Sequence, residues 1–144
     1  MKERPVWPIF WALIVVFVVI VVAVAVPAFR ELVMGFLFIT IAGTVFGFLG
    51  IALLFFTVKQ KVSGLLEKFL LLTGAAAAGI PISIFLHNAV YGLFIQWFGA
   101  DFWKGGDEPF FFIMGLIVCP LGFLVGVVGS IILAARKGEQ PGVS

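Results

Sequence analysis

The sequence predicts an all-α, polytopic membrane protein built as an antiparallel four-transmembrane-helix bundle. Three observations carry that prediction. Of 144 residues, 63% are hydrophobic and 11% charged, with a mean hydropathy of +1.28; soluble domains hold about 45–50% apolar and about 25% charged residues. Lys, Arg, Asp and Glu are absent from the intervals 5–29, 32–58, 69–100 and 109–135, each longer than the ~20 residues that cross ~30 Å of hydrocarbon. None of these runs alternates in polarity as barrel strands do. Backbone amides in lipid must find partners within their own segment, so even the Val- and Ile-rich runs form helices.

The four spans use nearly the whole chain, which gives one integral membrane domain over 1–144. Helices are expected at about 6–27, 31–58, 64–98 and 109–136, with an external loop at 99–108 and a mobile polar tail at 138–144. Basic residues set the orientation. Lys2, Arg4, Lys59, Lys61, Lys68, Arg136 and Lys137 fall at the termini and the second loop, whereas only Arg30 and Lys104 fall in the first and third loops. This bias predicts a plasma-membrane protein with both termini in the cytoplasm. The net charge of +2 forms no basic patch of the kind that binds nucleic acid.

The first helix has no polar residue between Ala12 and Val26 and carries Trp7 and Trp11 at its start, so it is expected to be the most lipid-exposed span. A cleaved signal peptide is the rival reading, from the Ala23-Val-Ala25 site, but the apolar run exceeds the ~7–15 residues of a signal core. Residues 27–31 read as a tight turn. The second helix places Thr40, Gly43, Thr44, Gly47 and Gly50 on one face, a small-xxx-small packing stripe.

The third helix carries the polar residues. Thr73, Ser83, His87, Asn88 and Tyr91 fall within roughly 140° of one another at 100° per residue, and form the candidate polar site in the membrane. Pro81 is expected to kink the helix ahead of them. Ser63 is the expected helix cap. In the fourth helix Gly115, Cys119, Gly122, Gly126, Gly129 and Ser130 lie within about 100° of one another. The likeness of Phe46-Gly-Phe-Leu-Gly50 to Leu121-Gly-Phe-Leu-Val-Gly126 hints at two repeated hairpins. A single cysteine excludes a disulfide framework within the chain.

His87 is the one imidazole. In an apolar span it can ligate haem, relay protons with Tyr91 and Ser83, or simply bond across the bundle. A haem between helices usually takes an axial ligand from each, and one histidine supplies one. Asp101, Asp107 and Glu108 form either a solvated acidic loop or a divalent-cation site, and their spacing matches no calcium loop. The chain offers no phosphate-cradling glycine motif, cysteine pair or catalytic constellation. No metal or cofactor is called for. The expected function is therefore an integral membrane scaffold or accessory subunit without catalysis, in contact with the bilayer and with a homo-oligomer or larger membrane complex. The alternatives are a homo-oligomeric channel or facilitator lined by the third helix, and a haem- or quinone-binding anchor using His87.

Overall fold

The structure, a computed structural model, describes residues 5–29 and 36–138. Its elements are α1 (Val6–Ala25), α2 (Phe36–Lys59), α3 (Leu65–Phe98), a 3-10 turn (Ala100–Trp103), α4 (Pro109–Ile113), a π-helical turn (Met114–Val118) and α5 (Cys119–Gly138). No strand occurs among the described residues. Four helices are long and apolar enough to cross a membrane: Val6–Ala25, Leu37–Lys59, Leu65–Phe98 and Pro109–Lys137, the last formed by α4, the π turn and α5 in sequence.

Local chemistry sets the boundaries. Val26 is extended (φ −89°, ψ 116°) and ends α1, because Pro27 disfavours a helical conformation in the residue before it. Residues 27–29 then form another helical turn. The expected start of the second helix at 31 and the tail beyond Gly138 lie outside the described residues. At the far end of α2, Val62 N–H bonds to Thr57 O (3.3 Å) and Lys61 N–H to Val58 O (3.1 Å), the pair of bonds that closes a Schellman cap. Lys61 occupies its left-handed position (φ 49°), where a non-glycine residue costs roughly 1–2 kcal/mol. The start of α3 differs from expectation: Gly64, not Ser63, is the N-cap, and no side chain caps it.

Two prolines sit inside apolar helices with different results. Pro81 lies within α3, which remains one helix of 34 residues. Pro120 follows the π turn after one residue, Cys119. It lacks an N–H and crowds the carbonyl four residues back, and the Cys119 N–H reaches Met114 O five residues back. A local π bond of this kind re-satisfies backbone freed by a proline.

Helix α3 is the central element, with α2 and α5 against it. Its contacts with α5 form a ladder read from the Cβ positions of glycines. Gly115 faces Ser83 and Ile80, Gly79 faces Cys119, Gly122 faces Ala76, Gly126 faces Thr73 and Phe69, and Gly129 faces the Phe69 ring. On the α2 side, Gly47 abuts Pro81, and Gly50 and Gly74 face each other's carbonyls. A Cβ on Gly50 would lie 2.7 Å from both Ala78 N and Gly74 O, so backbone meets backbone there. Phe17 of α1, Phe46 of α2 and Phe123 of α5 close the core, with ring centroids 4.7 to 6.0 Å apart.

The expected stripe of α2 divides. Gly47 and Gly50 are buried at the contact, while Thr40 and Thr44 are exposed and Gly43 has nothing within 4 Å of its Cβ position. The Pro81 ring fills the space beside Gly47, and beyond it an apolar cleft of about 280 Å³ opens between the helices, lined by Thr44, Phe48 and Phe85 among others. The suspected repeat also fails to give equivalent surroundings. Aligning Gly47 with Gly122 pairs Phe48, 69% exposed, with Phe123, 1% exposed.

These contacts rank the glycines. Gly50→Ala and Gly126→Ala each place a methyl group against backbone atoms and are expected to lower stability by about 1–3 kcal/mol. Gly122→Ala and Gly43→Ala, which meet ordinary contact or open space, are expected to stay within about 0.5 kcal/mol. Thermal unfolding of the four variants in mild detergent checks the order.

Candidate functional site

The polar residues of α3 point toward α5 and the loop before α4, but they do not form one continuous site. Thr73 is fully buried. Its hydroxyl donates to Phe69 O at 2.8 Å, one turn back, and its Oγ1 lies where a side chain on Gly126 would stand. Ser83 is 7% exposed, with its Cβ 3.2 Å from the Cβ position of Gly115. Asn88, on the edge of the predicted arc, is exposed and returns its amide to Ile84 O at 2.9 Å. A helix surface in an apolar medium favours such bonding to its own carbonyl.

His87 and Tyr91 meet the loop before α4. The Nδ1 of His87 lies 3.1 Å from Glu108 O and 3.3 Å from Glu108 Oε2. Both are acceptors, so Nδ1 carries the proton and donates. Nε2 lies 3.4 Å from Asp107 Oδ2. The Phe112 ring tilts against the imidazole at 5.6 Å. Tyr91 stacks on Trp103 at 5.8 Å and 19°, and Trp103 Nε1 donates to Tyr91 O at 3.3 Å. Phe94, Phe98 and Phe102 extend this aromatic cluster. Trp103 is thus fixed to the end of α3, whereas Trp97 is 69% exposed, as an interfacial anchor requires.

Glu108 was not legible as the centre of this cluster. It is 4% exposed, and its carboxylate caps α4, accepting from Phe110 N at 2.7 Å and Phe111 N at 2.9 Å. Pro109 follows at the first helical position, where its fixed φ suits the helix and its missing N–H is not needed. The negative charge at the helix start is favourable. Asp107 Oδ1 accepts from Glu108 N at 2.8 Å. The sequence signal was present in the order Glu, Pro, apolar run; the acidic-loop reading passed over it. Asp101 lies apart in the 3-10 turn, and no group of three or more His, Cys, Asp or Glu side chains suited to a metal occurs among the described residues.

Chemically, the cluster is a latch joining α3 to α4. Both ring nitrogens of His87 face carboxylate oxygens, so neither offers a free lone pair toward the bundle. Ser83 and Tyr91, one turn to either side, share no hydrogen bond with His87 among the described residues. On the α2 and α5 faces, Gly47, Gly50, Gly115, Cys119, Gly122, Gly126 and Gly129 adjoin α3. Cys119 is buried as a free thiol.

Comparison with known protein families, with curated proteins and with solved structures finds no match to this chain.

The latch makes a measurable prediction. In a double-mutant cycle, His87→Ala and Glu108→Ala are expected to couple by about 1 kcal/mol, since a charge-assisted hydrogen bond joins them. Asp107→Asn, at an exposed position, is expected to change stability by less than about 0.5 kcal/mol. Unfolding midpoints in detergent give both numbers.

Proposed function

We propose that the chain is an integral membrane scaffold or accessory subunit without catalytic activity of its own. It forms an antiparallel four-helix bundle in the plasma membrane, with both termini cytoplasmic. The opposite numbering along the ladder supports the antiparallel arrangement: positions rise from Gly115 in the π turn to Gly129 in α5 as they fall in α3 from Ser83 to Phe69. The depth of the polar groups supports the bilayer setting. Lys68 and His87 stand about 28 Å apart along a helix rising 1.5 Å per residue, close to one hydrocarbon thickness. The His87, Asp107 and Glu108 side chains therefore belong at the headgroup boundary, where ionisable groups are tolerated.

One observation carries the functional reading: the candidate pore-lining side chains are engaged in packing. Thr73 closes on Gly126, Ser83 on Gly115, His87 on Glu108 and Tyr91 on Trp103. A solute path along α3 needs these groups to face water. Haem ligation needs a free imidazole nitrogen, and the Glu108 and Asp107 carboxylates stand against both. Open to partners are apolar surface, the exposed Thr40 and Thr44, and the exposed Asn88 amide, a group that favours helix association in lipid by about 0.6–2 kcal/mol.

The test is paired. In mild detergent the protein is expected to migrate as an assembly with more protein mass than a single 15.6 kDa chain. In proteoliposomes it is expected to leave glycerol flux at the level of protein-free vesicles. Glycerol flux that falls with Thr73→Val, from a particle of the same size, overturns the scaffold reading in favour of a facilitator.

A further inference from the structure

We propose that the basic end of the bundle binds the phosphate group of an anionic phospholipid whose headgroup also carries hydroxyls. The site is a cavity of about 500 Å³ bounded by the starts of α1 and α3 and the ends of α2 and α5. Its polar wall holds Lys61, Lys137, Gln60 and Ser63, and its apolar wall includes Trp7 and Leu66; among the described residues no acidic one lines it. Two ammonium groups, one just past the end of α2 and one on α5, with no carboxylate between them among the described residues, call for an anion. A phosphate accepts from both.

The second half of the ligand is indicated independently. Gln60 Oε1 is buried and has no hydrogen-bond partner among the described residues. It is an acceptor, so a phosphate oxygen does not satisfy it, whereas a headgroup hydroxyl does. The hydroxyls of Thr57 and Ser130 share this condition: both residues are fully buried and both oxygens lack partners. They lie one turn deeper than Lys61 and Ala134 respectively, beneath the same end of the bundle. Buried oxygens without partners are rare in native interiors.

The phosphate has two possible sources, a lipid headgroup or soluble phosphate. The apolar wall favours the lipid. Trp7 and Leu66 belong to apolar spans, and an indole at this level suits the headgroup zone.

The full-length protein, extracted in mild detergent, is titrated with phosphatidylglycerol or phosphatidylcholine, and bound lipid is counted by native mass spectrometry. One phosphatidylglycerol per chain is expected, in preference to phosphatidylcholine. Lys61→Gln with Lys137→Gln is expected to weaken its retention about 30-fold, as two lysines acting on a surface phosphate predict. Lys59→Gln with Lys68→Gln, outside the cavity, is expected to change nothing. Lys61→Gly removes a side chain from a left-handed position, so it is expected to hold or raise the unfolding midpoint while lowering lipid retention severalfold. That combination separates lost binding from lost folding. Equal retention of the two lipids, or equal loss in the two lysine pairs, overturns the proposal. Displacement of phosphatidylglycerol by millimolar inorganic phosphate assigns the cavity to soluble phosphate and overturns the lipid source.

Discussion

The fold depends on backbone-to-backbone contact at α3. Lipid tails are as apolar as leucine, so burying leucine against leucine offers little drive between helices in a bilayer, and close packing must supply the association. Gly50 and Gly74 let α2 and α3 approach until amide and carbonyl atoms face each other, and Gly126 admits the Thr73 hydroxyl into the α5 side. The larger side chains are arranged around these contacts. Phe46 and Phe123 are almost fully buried and reach each other past the glycines, while α1 joins through Phe10, Leu13 and Phe17. The exposed valines along the rest of α1 follow from the same constraint: a helix without small residues on a face has no close backbone contact to make there.

Much of this was legible because it follows from solvation. Charge-free length gave the four spans, and the rotation of small residues gave the α5 face from Gly115 to Gly129. The α2 stripe was only half informative. Thr40, Gly43 and Thr44 share its periodicity with Gly47 and Gly50, but periodicity does not register where a partner helix departs. That point is set by the Pro81 ring, a residue on another helix. The π turn was hidden for a related reason. Pro120 announces a disturbed helix, but whether the chain kinks or winds by one extra residue depends on the neighbours that keep Gly115 and Cys119 facing α3.

The polar residues show the limit of reading a helix alone. The arc on α3 places Thr73, Ser83, His87, Asn88 and Tyr91 on one side, and leaves out what each meets. Thr73 and Ser83 meet glycines of α5, which periodicity could suggest. His87 meets Glu108, 21 residues away, and only the return of the loop brings it there. Glu108 serves two helices with one carboxylate, capping α4 through Oε1 and Oε2 and accepting from the α3 imidazole through Oε2. Burial of such a charge is tolerable because its oxygens have N–H partners.

The two ends of the bundle solve the same problem in opposite ways. Where the apolar spans stop, helix termini and polar side chains must find partners. At the loop end they find them within the chain: carboxylate with imidazole and amide, indole with carbonyl, and ring against ring. At the basic end the chain closes α2 with a Schellman cap that holds Lys61 in a costly conformation, leaves α3 without a side-chain cap, and leaves the oxygens of Thr57, Gln60 and Ser130 without partners. An end so built leaves polar groups the described chain does not satisfy itself, and the proposed phospholipid headgroup would answer the two lysines and Gln60 among them. The closed end fixes the register of α3 against α4 through His87 and Glu108.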